Sequence, residues 1–286
     1  MPSTRHRPQS RRRKWHSFMV SPGHVLPHRF NRPGALGFVS YVLVALVILW
    51  SLEGAGWSVN RLVSSPPKLA DFFSRAWPPS IHNFDRLAWK MVETMQIAIA
   101  GAAIGIVLSL PVALLAARGV LVGRGVNMAV RIVLGFIRAV PDLAWALVFV
   151  VAVGLGPFAG MLAIAIDTIG FCGRFFADDM ENTDPGPTEA LTATGARRID
   201  IAASAVIPAA LPAFVSTSLF GLEKAVRSST ILGLVGAGGI GIELKVGFDL
   251  FDYPTALTVI LMIAVVVIGV EQIGAVLRQK IIGAGR

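Results

Sequence analysis

Apolar residues run along this chain in long blocks rather than in the alternating or three-and-four spacing of a soluble fold. The first block covers residues 36–52, and others cover 95–117, 132–153, 158–177, 207–234 and 255–276. Each is near or above the roughly 18 to 20 residues a helix needs to cross the hydrocarbon core. An all-α polytopic membrane protein of about six transmembrane helices is expected, with both termini on one side. Pro111 removes a backbone donor inside the second block and is expected to kink it, and Pro141 interrupts the third. Residues 53–90 are more polar and contain Pro66, Pro67, Pro78 and Pro79, which predicts interfacial helices rather than a further span. A polar stretch at 178–206 separates the fourth and fifth blocks, and a glycine-rich segment reaching Tyr253 separates the fifth and sixth.

Composition agrees with the pattern: 54% of the 286 residues are hydrophobic, 15% are charged, and the mean hydropathy is +0.67. An ordinary soluble domain is excluded. The net charge of +9 is uneven, because Arg5, Arg7, Arg11, Arg12, Arg13, Lys14, Arg29 and Arg32 crowd into residues 1–34. That segment reads as a basic cytoplasmic tail, and residues 35–286 as one transmembrane domain. With the N-terminus inside, the cytoplasmic segments hold 16 Lys and Arg and the opposite face 6, with 8 of the 16 in the tail. The tail therefore decides the orientation, which places both termini on the cytoplasmic side. The arginines are expected to meet anionic lipid rather than nucleic acid, since no zinc spacing, basic helix or aromatic stacking surface accompanies them.

Several chemistries lack their residues. Cys172 is the single cysteine and lies in an apolar block, so it reads as a packing residue. The five histidines, His6, His16, His24, His28 and His82, all fall outside the blocks, which argues against an intramembrane enzyme. No paired repeats surround mid-membrane acids, as a carrier driven by an ion gradient would require. No G-x-x-x-x-G-K-[ST] phosphate loop occurs, so no ATP hydrolysis and no cofactor are expected in this chain.

The stretch from Thr188 to Pro208 carries the most specific pattern. Thr188 is placed to cap a short helix with Glu189 in its positive first turn, and Gly195 suits the left-handed residue that ends it. A second short helix, over 198–206, should run to Pro208, where the chain turns into the fifth span. The pattern resembles the cytoplasmic loop of ABC importer permeases, which reads Glu-Ala-Ala, Gly six residues after the Glu, and a terminal Leu-Pro. Glu189, Ala190, Gly195 and Pro208 match it, while Leu191 and Ile207 replace an Ala and a Leu. The resemblance implies a type I ABC importer permease fold and a coupling loop at 179–207 that docks on an ATPase subunit through Glu189, Ala190, Leu191, Gly195, Ala196, Arg197 and Pro208. On the residues alone, an amphipathic inner loop capping the bundle is the alternative.

Three further segments, Arg138-Ala-Val-Pro-Asp142-Leu-Ala-Trp145, Val153-Gly-Leu-Gly-Pro157 and the run from Val226 to Gly241, make residues 65–280 similar to permeases of phosphonate importers. That similarity implies a homodimer, two ATP-binding cassette subunits that bind ATP and Mg, an extracytoplasmic solute-binding protein, and a phosphorus oxyanion as cargo. Phosphate, phosphite or an amino acid on the same architecture is the alternative cargo. Glu223 and Arg227, spaced i, i+4, are placed to neutralise each other, leaving Lys224, Ser228, Ser229 and Thr230 as donors along a path. The alternative is that Glu223, Lys224 and Arg227 all pair with neighbouring helices. Asp142, Asp167 and Arg174 also lie in or near spans, where lining the route, an Asp167–Arg174 pair two helical turns apart, or contacts between subunits are the open readings. The resemblance places Gly236, Gly238, Gly239 and Gly241 in a flexible outer loop facing the solute-binding protein, where freed N–H groups could meet an anion.

Overall fold

The computed structural model describes residues 35–283, all of whose regular elements are helical. The basic tail, 1–34, and residues 284–286 lie outside the described residues. Residues up to Ser64 and from Ser65 onward form two compact units. In the first, α1 (Ala35–Gly54) is apolar on all sides, as a span in lipid requires. The chain then turns at Gly56 and begins α2 (Val59–Ala76), which is amphipathic and tolerates Pro66 and Pro67. In the second unit, Phe72 of α2 stacks on Phe248 with ring centroids 6.2 Å apart. The polar segment is thus helical and amphipathic, but it ends earlier than the sequence suggests. The next helix, α3 (Phe84–Ala116), already starts at Phe84, because Asp85 suits its first turn and Lys90 pairs with Glu93 at 2.7 Å one turn on. Pro111 sits inside α3, which continues past it to Ala116.

The proline at 141 has the larger effect. Helices α4 (Arg124–Ala139) and α5 (Asp142–Val153) meet there at 90°, so the third apolar block is a bent pair rather than one straight rod. Five helices among the described residues are long and apolar enough to cross a membrane, or six if the bent pair counts as one span. The fourth block is α6 (Pro157–Glu181). The loop that follows holds α7 (Pro185–Ala193) and α8 (Arg198–Ile201). A π-helical segment, Ala202–Val206, carries α8 without a break into α9 (Ile207–Leu232). The second short helix of the loop is thus the first turn of the fifth span, not a separate element that turns at Pro208. Pro208 has no N–H for the carbonyl four residues back; the wider register, in which Ile207 N–H donates to Ala202 O, relieves the clash of its ring. A 3-10 turn, Gly233–Val235, leads to α10 (Ile240–Asp249), and α11 (Tyr253–Gly283) ends the bundle.

The centre of the bundle is the α3–α6 pair, with α9 packed across both, α4 and α5 along α6, and α11 on α9. In lipid, helix association relies on close van der Waals packing, and small residues permit it. Gly101, Gly105 and Ser109 recur every four residues on the buried face of α3. A Cβ on Gly105 would lie 2.5 Å from Thr168 Cβ and 2.8 Å from Ala165 O on α6. Large side chains fill in around this seam: Leu134, Phe176 and Phe214 at one level, Ile164, Val226 and Leu232 at the next, and Leu87, Ile240 and Val259 at the third. Gly105→Val should lower stability by about 1 to 3 kcal/mol through overpacking. Gly135→Ala, whose Cβ meets nothing within 4 Å, should leave it unchanged; thermal unfolding in nanodiscs measures both.

Candidate functional site

The loop between α6 and α9 begins where three helices are tied together. The last carbonyls of α3 have no helical partner, and side chains of α4 supply one: Asn127 Nδ2 donates to Ala116 O, and Arg131 Nε donates to the same oxygen at 2.8 Å. Arg131 also pairs with Glu181, the last residue of α6, whose Oε1 accepts the Arg118 N–H at 2.7 Å. Arg174 pairs with Asp178 at 3.0 Å. Three helix ends are thereby tied where the loop leaves the bundle. Sequence spacing named none of these partners: Arg118 and Arg131 lie 63 and 50 residues from Glu181, and the i, i+4 spacing of Arg174 and Asp178 competes with the two-turn spacing of Asp167 and Arg174.

From there α7 projects with none of its residues buried. Its cap is Asp184, whose carboxylate accepts the Gly186 N–H at 3.0 Å. The helix therefore starts at Pro185, and Thr188 and Glu189 lie beyond its first turn rather than at its start. Gly195 ends it in the left-handed region, at φ +79°. There the Gly195 and Ala196 N–H groups donate back to Thr192 O and Leu191 O at 3.0 and 3.3 Å. Glu189, Ala190, Gly195, Arg197 and Pro208 are exposed, and Leu191 and Ala196 are half-buried. Arg197 is held by Asp200 at 2.8 Å, and that hydrogen bond raises the guanidinium pKa further.

Within the bundle, Glu223, Lys224 and Arg227 of α9 border one cavity of about 390 Å³ together with Arg138, Asp167, Phe171 and Phe220. The three do not neutralise one another. Glu223 pairs with Arg278 and Arg227 with Glu271, both on α11, while Lys224 Nζ donates to the two Asp167 oxygens on α6 at 2.8 and 2.7 Å. Asp167 therefore pairs with Lys224 and Arg174 with Asp178, not with each other. Helix geometry explains the outcome: α9 lies between α6 and α11, so successive turns of charge reach different neighbours. Ser228, Ser229 and Thr230 are buried away from the cavity. Their hydroxyls donate to Asp142 Oδ2 at 2.5 Å, Val226 O at 2.8 Å and Arg227 O at 2.7 Å.

The glycine segment is packed rather than open. Gly239 N–H donates to Glu93 Oε1 at 3.1 Å, Ile240 N–H to Thr94 Oγ1 at 2.7 Å, and Gly156 N–H to Gly236 O at 2.9 Å. Gly239 holds φ +76°, and a Cβ there would lie 2.5 Å from Thr94 Oγ1. An internal carboxylate thus occupies the N–H group at Gly239 that an anion was expected to meet. A Cβ on Gly241 would strike Thr230 O, and Gly238 abuts Pro157. Among the described residues no group of three His, Cys, Asp or Glu is arranged to hold a metal ion.

Residues 88–283, most of this helical unit, match the binding-protein-dependent transport system inner membrane components. The chain belongs to that family. It is a transport component, and its apolar helices are those of an inner-membrane protein. A putative phosphite transport system permease of Stutzerimonas stutzeri is 35% identical over 84% of this chain and 87% of its own length. A phosphate-import permease of Mycolicibacterium smegmatis is 33% identical over 84% of this chain but 45% of its own length, so the chain spans less than half of that relative. The bundle also superposes on the inward-facing methionine ABC transporter MetNI with a TM-score of 0.59, covering 71% of this chain and 99% of that one at 22% identity. The fold is that of a type I ABC importer permease.

Removing one partner of an intramembrane pair strands the other charge, whereas removing both does not. Asp167→Asn should therefore destabilise the protein more than the double variant Asp167→Asn with Lys224→Met. Thermal unfolding of the two in nanodiscs gives the comparison.

Proposed function

We propose that this chain is the permease subunit of an ATP-driven importer for a phosphorus oxyanion such as phosphite, phosphate or a phosphonate. The observation that carries this reading is the likeness, at about one residue in three across most of the chain, to permeases named for phosphite and phosphate. The bundle adds a chemical reason. Its cavity has Lys224 and Arg227 on its wall, and intramembrane cations are characteristic of ion routes. Two copies of the chain enclose one route at their two-fold axis, with both termini in the cytoplasm. An extracytoplasmic binding protein delivers the solute near the glycine segment.

Energy comes from two ATP-binding cassette subunits, which bind ATP and Mg. The exposed α7 with Glu189, Ala190 and Leu191, and the turn at Gly195, Ala196 and Arg197, form the part that docks on each of them. Because α8 runs through the π-helical segment into α9, a displacement of the loop reaches the cavity along one continuous helix. Closure of the ATPases opens the route outward, and hydrolysis resets it.

Purifying the complex and measuring solute-stimulated ATP hydrolysis over phosphonate, phosphite, phosphate and methionine tests the cargo. Stimulation by one of the phosphorus compounds is expected, and stimulation by methionine alone would contradict the proposal. Gly195→Val forces a β-branched residue to a positive φ. It and, separately, Glu189→Arg should each abolish uptake while the folded chain remains in the membrane, as read by transport and by size exclusion. Uptake at the wild-type rate in both variants would refute the docking role.

A further inference from the structure

We infer that Arg138 is the residue that holds the migrating oxyanion inside the cavity; this deepens the importer reading and rests on it. Every other charge on the cavity wall is matched: Lys224 by Asp167, Arg227 by Glu271, and Glu223 by Arg278. Arg138 forms no ion pair among the described residues. Its guanidinium stands over the Phe175 ring at 5.7 Å, and its stem passes Gly170, where a Cβ would come within 3.2 Å of Arg138 Cγ. The unmatched charge at this cavity is therefore a cation, and its complement is an anion.

The sequence shows how that charge stays unmatched. Asp142 lies four residues after Arg138, a spacing at which a continuous helix would set the two side by side as an ion pair. Pro141 lies between them, and the chain turns through 90°. Asp142 instead opens α5, where its carboxylate accepts the Leu143 N–H at 2.9 Å and the Ser228 hydroxyl at 2.5 Å. One break thus gives Asp142 neutral donors of its own and removes the carboxylate that would cancel Arg138. A lone guanidinium facing hydrocarbon is costly, so an exposed Arg138 belongs on the watered side of the helix, where the route runs. Its planar fork fits two oxygens of a phosphorus oxyanion at once. A single unmatched charge backed by an aromatic ring also allows release, which a conducting site requires.

The test uses the complete importer in proteoliposomes with the binding protein saturated by phosphite, phosphonate or phosphate. Arg138→Gln should slow initial uptake about tenfold or more, with fewer solutes imported per ATP hydrolysed, and Arg138→Lys should recover a substantial part. Phe175→Glu offers Arg138 a carboxylate without removing it and should slow uptake in the same way. Co-elution with the partner subunits reports the assembly of each variant. Uptake at the wild-type rate in Arg138→Gln overturns the inference, as does a loss that Arg138→Lys shares in full. A wild-type importer that moves none of the three anions refutes the importer reading itself, whereas one that moves an anion as fast with Gln at 138 refutes only the role of Arg138.

Discussion

A charged side chain inside a bilayer must be neutralised or reach water, at a cost of about 3 kcal/mol or more when it does neither, and α9 carries three such charges within five residues. Glu223, Lys224 and Arg227 meet the constraint by reaching outward, to Arg278 and Glu271 on α11 and to Asp167 on α6. These pairs stitch α9 between its neighbours at the level where the cavity lies. Apolar packing alone would leave α9 free to slide, since lipid tails compete equally for its surface.

The same helix links the two ends of the molecule. At its N-terminal end it extends back through the π-helical segment into α8 and so to the exposed α7. Toward the far side it ends in glycines whose backbone is pinned by Glu93 and Thr94 of α3. One continuous helix thus joins the exposed loop to the cavity, and the α3–α6 seam packs beside it through small residues. The contacts of Arg131 and Glu181 tie α3, α4 and α6 together beside the loop, and none of the α7 residues is buried.

The sequence made legible whatever depends on local order. The apolar blocks gave the spans, Pro141 gave the interruption, and Gly195 gave the left-handed turn, since each follows from one residue type and its near neighbours. Boundaries set by competing caps were misplaced: Asp184 outcompetes Thr188, so α7 begins early, and the run of α8 into α9 rests on a register change that no spacing announces. Charge pairing was the least legible part. The i, i+4 spacing of Glu223 and Arg227 suggested a local pair, whereas the alternative, that all three charges pair with neighbouring helices, is the one found; its partners Arg278 and Glu271 lie dozens of residues away, where spacing cannot single them out. The glycine run suggested free N–H groups for the same reason, because Glu93 and Thr94 approach it only in three dimensions.

That α9 is held by its neighbours rather than by itself is tested directly by double-mutant cycles on unfolding in nanodiscs. Glu223→Gln combined with Arg278→Met should show a coupling of about 1 kcal/mol or more, and Glu223→Gln combined with Arg227→Met close to none. A strong coupling between Glu223 and Arg227, with none between Glu223 and Arg278, would contradict it.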